Sequence, residues 1–338
     1  MLLVASPLNG AEPVSSWPQF RGPGGQGHAA AAPLRWSEGE NVVWKTELPG
    51  RGWSSPIVVD GRVWLTSAIE TEAAGAELDS LLEPLQGRPG ADQMAAVSKI
   101  DLWVMEFDWA TGQPLRKMKA FTVERPDPIH GFNSHSSPTP VYDDGRLFCH
   151  FGTYGTACID VKSGETLWRT KLELEHGVGP GSSPALCDDL LIIPCDGMER
   201  QFIAALDKRT GKTVWSTPRP PIRIENGDMR KAFSTPLVVE VDGRRQVVVP
   251  GAQWFAAYDP VNGEEIWRVD HGAGFSNVPR PVFDGERLYL CTGFSHPELV
   301  AIHPDGSGDV TETHVAWRWR RQVPTIPSPV VVDGLVFF

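Results

Sequence analysis

The chain has 338 residues, with 34 Gly and 30 Pro, 41% hydrophobic residues and a formal net charge of −11. That charge argues against nonspecific nucleic-acid binding, which needs a basic face. No apolar run approaches the roughly 20 residues of a membrane helix, and so much Gly and Pro suits a protein made of turns.

The first segment, residues 1–11, reads MLLVASPLNGA, a short apolar patch followed by small residues. It resembles the tail of a secretory signal without the basic start and long apolar region. Export is therefore expected, with a merely disordered N-terminus as the alternative. Residues 12–40 form a Gly/Pro-rich lead-in around Trp17-Pro18-Gln19-Phe20-Arg21-Gly22, too rich in Gly and Pro for a strand interior. Asn41 to Lys45 is an outer strand with a Trp, missing the three strands that should precede it. Such an orphan suits a ring closed by pairing strands from the two termini.

From Ser54 a unit repeats. A Ser-Pro or its equivalent opens a short apolar strand, and an Asp-Gly or similar pair turns it back. A third strand then ends at an Asp. The opening prolines are Pro56, Pro138, Pro184, Pro236, Pro281 and Pro329, at steps of 82, 46, 52, 45 and 48 residues. The long first step holds an insertion at residues 70–100, where Leu78, Leu81, Leu82 and Leu85 have helical spacing and predict a short amphipathic helix.

The third strand leads into the pattern A-x-D-x-x-T-G-x-x-x-W, complete at Ala205 to Trp215. Asp207 can bind backbone N–H groups of its own turn, Gly211 can take positive φ, and Trp215 carries a large apolar ring outward. The device returns as Asp160, Gly164 and Trp168, and as Asp259, Gly263 and Trp267. A damaged copy has Asp108 and Gly112 but Arg116 in place of the Trp. Four-strand units at this period predict an all-β chain, a β-propeller of four-stranded antiparallel blades over residues 41–338. The period implies seven or eight blades in an intact ring, with about five and a half here. Because the sequence stops inside a sixth unit, truncation at the C-terminus is expected.

These repeats resemble the pyrroloquinoline-quinone-like (PQQ-like) β-propeller proteins, whose tryptophan-docking motif is matched fully at Ala205 to Trp215. The lead-in and the segment His150 to Ala157 are similar to secreted bacterial proteins of that type. The superfamily includes quinoprotein alcohol and glucose dehydrogenases and a non-catalytic scaffold lipoprotein of outer-membrane protein assembly. The dehydrogenases clamp the quinone with an adjacent-cysteine disulfide, a stacking Trp, a Ca²⁺ site and an Asp base. Here the cysteines are Cys149, Cys158, Cys187, Cys195 and Cys291, none adjacent. No calcium-ligand cluster can be named, and no c-type haem attachment motif is present. The resemblance therefore implies a non-catalytic envelope binding or scaffolding propeller, with a PQQ- and calcium-dependent dehydrogenase as the alternative. No cofactor, no metal site and no catalytic residue are expected, and the chain is expected to be a monomer.

Residues just before each strand-opening proline are expected at one mouth of the propeller channel. They are Arg51, Trp53, Asn133, His135, Arg230, Lys231, Asn277 and Arg280, a mainly basic set in an acidic protein. Such a set fits an anionic small molecule, a glycan or a protein partner; solvated loops are the plainer reading. His130 and His135 lack zinc-signature spacing. If Thr153-Tyr154 is a two-residue turn, Cys149 faces Cys158 and the pair is close enough for a disulfide, with two free thiols the alternative.

Overall fold

The computed structural model describes residues 2–5, 16–29 and 31–338; of the signal-like segment, residues 1 and 6–11 lie outside the described residues. The chain divides into two compact units, Met1–Leu167 and Trp168–Phe338.

In the first unit a five-stranded antiparallel sheet takes the order Ser16–Trp17, Ile57–Val59, Arg62–Glu72, Val97–Asp108 and Pro114–Glu124. The lead-in thus supplies an extra strand, because only the two residues Ser16 and Trp17 pair, with Val59 and Val58, before the Gly/Pro run breaks away. The insertion extends two strands and carries the helix Ala76–Leu82, continued by a 3₁₀ turn at Glu83–Leu85. Leu81 is buried and Leu78, Leu82 and Leu85 are half-buried, as the stripe predicts. A second sheet follows from Val141–Asp143, Arg146–His150 and Thr156–Asp160; the unit boundary falls inside its next strand, Thr166–Thr170. Ile57, Leu102, Val104, Leu147, Cys149 and Ile159 form the core shared by these sheets.

The second unit contains the sheet Ala185–Cys187, Leu190–Asp196, Gln201–Asp207 and Thr213–Pro218, then Leu237–Val241, Arg244–Pro250, Trp254–Tyr258 and Glu265–Asp270. The latter gains a fifth, parallel strand, Gly308–Asp309, laid along Trp267 and Arg268. Val282–Phe283, Leu288–Cys291, Leu299–Ile302 and Val315–Trp319 form the next sheet, and Val330–Val332 pairs with Leu335–Phe337. Four-stranded antiparallel sheets joined in this sequence are propeller blades.

Each innermost strand begins one residue after a proline: Ile57, Val141, Ala185, Leu237, Val282 and Val330. For the second blade this moves the opening from Ser137-Pro138 to Thr139-Pro140. The Thr139 hydroxyl accepts from Ser55 N–H at 2.9 Å, as Thr235 does from Ser183 and Ser328 from Arg280, so in three places the residues before two successive strand-opening prolines are bonded to each other. The following Asp-Gly pairs are primed turns: Asp60, Asp144, Asp242 and Asp333 and the glycines after them all have φ between 43 and 75°. Such turns match the right-handed twist of the strands they join.

The expected Cys149–Cys158 pairing fails on register. The hairpin loop holds three residues, Gly152–Tyr154, with Phe151 N–H bonded to Gly155 O at 2.8 Å, so Cys149 faces Ala157 and Cys158 faces Phe148. A one-residue shift sends the two side chains to opposite faces of the sheet. Both cysteines are free and buried.

Candidate functional site: the loops before the inner strands

In each motif turn the Asp organises its own loop. Asp207 Oδ1 accepts from Arg209 N–H, Thr210 N–H and Thr210 Oγ1 at 3.1, 2.8 and 2.8 Å. Asp160 does the same with Ser163, and Asp108 with Ala110 and Thr111. These contacts hold the carboxyls of Asp207, Asp160 and Asp108 below the usual carboxylate range.

The tryptophans then reach the turn of the following blade. Trp168 Nε1 donates to Lys208 O at 3.0 Å and Trp215 Nε1 to Pro260 O at 2.9 Å, in each case the carbonyl one residue after the motif Asp. Trp44 does this to Trp109 O. Arg116, in the place of a Trp, donates to Val161 O, the equivalent carbonyl, and to Lys162 O. Trp267 works through a relay: its Nε1 donates to Gln246 Oε1, and Gln246 Nε2 donates to Pro304 O. Asp259 and Gly263 serve the turn that receives Trp215.

In the first unit, Arg51 donates to Gly131 O and sits 5.8 Å from the Trp53 ring centroid; Trp53 Nε1 donates to Phe132 O at 2.9 Å. This fixes Trp53, 58% exposed, beside Phe132, 88% exposed. Asn133 turns inward, its Oδ1 accepting from Ser134 N–H and Ser137 Oγ. His135 is buried, bonded through Nδ1 to Glu70 Oε1 at 2.7 Å, with Tyr154 against its ring. Burial, then the Asp127 and Glu70 carboxyls, push the Tyr154 hydroxyl pKa up.

In the second unit the backbone joins two of the loops, Ser276 N–H to Lys231 O and Phe233 N–H to Asn277 O, each at 2.7 Å. Lys231, Asn277 and Arg280 are buried instead of facing a channel. Lys231 pairs with Asp228, Asn277 donates to Gly251 O, and Arg280 caps Pro236 O. Loops packed under a neighbouring blade must satisfy their polar groups internally, which corrects the expectation of an open basic mouth at these positions. Arg230 is half-buried with its Nε unpartnered.

Sequence reasoning missed the buried pair of Asp196 and Arg219. Arg219 grips both carboxylate oxygens at 3.0 and 3.2 Å and donates to Tyr258 Oη and Val249 O. Burial opposes its charge, but Asp196 and the Tyr258 hydroxyl outweigh that and raise its pKa. Neither residue belongs to the repeat, so nothing in the spacing marks them.

The five cysteines are dispersed and buried, and among the described residues no three His, Cys, Asp or Glu side chains converge as metal ligands. What these loops offer solvent in the first unit is the Trp53 indole, held on the Phe132 carbonyl beside the Arg51 guanidinium, with the Phe132 ring itself exposed.

The family model described as outer membrane protein assembly factor BamB matches residues 100–249 and again 199–338. The chain belongs to this PQQ-like repeat family. Methanol dehydrogenase [cytochrome c] subunit 1 of Methylorubrum extorquens is 27% identical over 215 residues, covering 53% of this chain and 32% of that protein. Tetrathionate hydrolase of Acidithiobacillus ferrooxidans is 23% identical over 195 residues, covering 53% and 36%. The chain therefore spans about a third of the length of the curated relatives it matches. Among solved structures, the quinohemoprotein alcohol dehydrogenase of Comamonas testosteroni superposes with a TM-score of 0.58 at 12% identity, over 96% of this chain and 70% of that one. At that identity the likeness is one of fold alone. The fold and the repeat are those of PQQ-like propellers, whether scaffold or dehydrogenase.

Proposed function

We propose that this chain is a non-catalytic binding or scaffolding propeller of the cell envelope, exported to the periplasm, whose partner is another protein of outer-membrane protein assembly. The observation that carries this reading is the exposed Trp53 indole, pinned on the Phe132 carbonyl beside Arg51. The indole is held by the Phe132 carbonyl and the guanidinium lies near its ring, so little side-chain freedom is lost when a partner covers them. The repeated indole-on-turn contacts act as tryptophan docking between blades and leave the motif residues no part in chemistry. The family description, outer membrane protein assembly factor, supplies the class of partner.

The test uses the full-length protein as bait on envelope extract, with Trp53→Ala and Phe132→Ser variants beside the wild type. A partner from the assembly machinery should be retained by the wild type and lost, by roughly tenfold or more in affinity, from the Trp53 variant, the usual effect of deleting an aromatic anchor. The competing reading is a PQQ-dependent dehydrogenase, favoured by the match to methanol dehydrogenase. Adding PQQ and Ca²⁺ should give no dye-linked oxidation of alcohols or aldoses. Stoichiometric quinone binding with substrate-dependent dye reduction would replace the scaffold reading with the enzyme.

A further inference from the structure

The second unit holds a charged cleft that lies outside the loops just described. Its outer strand, Val315–Trp319, runs on into Arg320 and Arg321, and residues two apart on an extended chain share a side, so Arg318 and Arg320 reach the same neighbour. That neighbour is Glu298, only 5% exposed. Arg318 Nη1 donates to its Oε1 at 2.5 Å and Arg320 Nε to its Oε2 at 2.8 Å. Arg318 Nη2 also donates to Asp270 O at 2.9 Å. The Asp270 carboxylate is already held by both Nη atoms of Arg223.

Asp270, Glu298, Arg318 and Arg320 border an opening of about 580 Å³ whose walls include His271, His296, Pro297 and Ala273. Arg318 and Arg320 face Asp270 and Glu298, so the lining charges balance, in a chain of net charge −11. His271 adds none at neutral pH, since burial lowers its pKa to about 4. Arg320 spends its Nε on Glu298, while its two amino groups make no hydrogen bond among the described residues and its side chain is 75% exposed. A guanidinium so oriented by a buried carboxylate presents a ready two-pronged donor edge. Arg318 and Arg320 also border a second opening, of about 610 Å³, shared with Trp319 and Arg321. Volumes of this size exceed what an inorganic ion fills and match small-molecule clefts.

We infer that the cleft between Glu298 and Arg320 is a binding site for a small organic oxyanion, its carboxylate, sulfate or phosphate group seated on the outer edge of the Arg320 guanidinium. The inference is independent of the scaffold reading, since it uses none of the same residues.

Titration calorimetry and thermal shift with citrate, sulfate and phosphate, each against sodium chloride at matched ionic strength, test it on the wild type and two variants. The expected result is saturable binding with citrate tightest, at least tenfold weaker in Arg320→Gln, and unchanged in Arg287→Gln, whose guanidinium pairs with Glu286 away from the cleft. Because Arg320 is exposed, its variant should melt with the wild type when no anion is present, which separates loss of binding from loss of fold. Three results would overturn the proposal: no saturable binding of any of the three anions; equal affinity in Arg320→Gln; or sulfate and phosphate binding without citrate.

Discussion

The indole of Trp168 lies over Gly211 so closely that a Cβ at Gly211 would sit 2.5 Å from its Cε3, while Thr170 Oγ1 donates to the Gly211 carbonyl at 2.6 Å. Trp215 stands on Gly263 in the same way, with Thr217, and Trp44 on Gly112, with Thr46. The glycine is needed twice, once for its positive φ and once for the absent side chain.

Two glycines in equivalent turns separate these needs. Gly211 and Gly164 have φ of 71 and 77°, but a Cβ at Gly164 would meet only Met118 and Arg116, at 3.4 and 3.5 Å. Gly164→Ala should cost about 1 kcal/mol, the strain of left-handed backbone. Gly211→Ala should cost roughly 2 to 4 kcal/mol, because the ring must also move. Urea unfolding midpoints of the two variants check the difference; equal losses would remove the role given to the Trp168 contact.

Arg116 is a working replacement for the missing tryptophan. Its Nε donates to the nearly buried Glu106 at 2.5 Å, and Glu106 also pairs with Arg62. Restoring the repeat with Arg116→Trp should therefore destabilise, by about 1 to 3 kcal/mol after allowing for the partial exposure of the arginine. Arg116→Trp combined with Glu106→Gln should recover most of that loss. A stabilised single variant would show that the ion pair contributes little.

Two buried histidines set the acid limit. Burial, aided by Lys231, lowers the pKa of His176 to about 4, and burial lowers that of His271 to the same value against an ordinary 6.5. The unfolded chain then binds more protons than the folded one between about pH 4 and 6.5, so stability is full above that window and falls as pH drops through it. Each histidine accounts for about 3 kcal/mol across the window. The motif aspartates, with depressed pKa values, add their loss below about pH 4. His176→Phe should flatten the profile of unfolding free energy between pH 6.5 and 4; an unchanged slope would mean that His176 is protonated in the fold.

All five thiols should stay reduced and silent in the native protein. Burial raises every one, Cys158 and Cys291 to about 12, so little thiolate forms at neutral pH. A thiol reagent should count five groups in denaturant, with or without prior reduction, and almost none under native conditions. Three groups in unreduced, denatured protein would indicate a disulfide.

The sequence by itself determined the repeat. The Asp-Gly turns, the Asp-to-Thr and Asp-to-Ser hydrogen bonds and the strand-opening prolines involve residues within a few positions of one another, so their chemistry is written in local spacing. The insertion helix was legible for the same reason, from Leu78 to Leu85. Only the tertiary structure decided where each long side chain finishes. Trp168 and Lys208 lie 40 residues apart, and Trp267 reaches Pro304 only through Gln246, which belongs to no motif. The Cys149 register turned on one loop residue between Phe151 and Gly155, and every side chain beyond it changed face. The burial of His135, Lys231, Asn277 and Arg280 depends on which blade lies over each loop, and the link between Glu298 and Arg320 forms only after two strands have paired. Contacts of that kind arise from packing between elements distant in the chain, and no local pattern of residues encodes them.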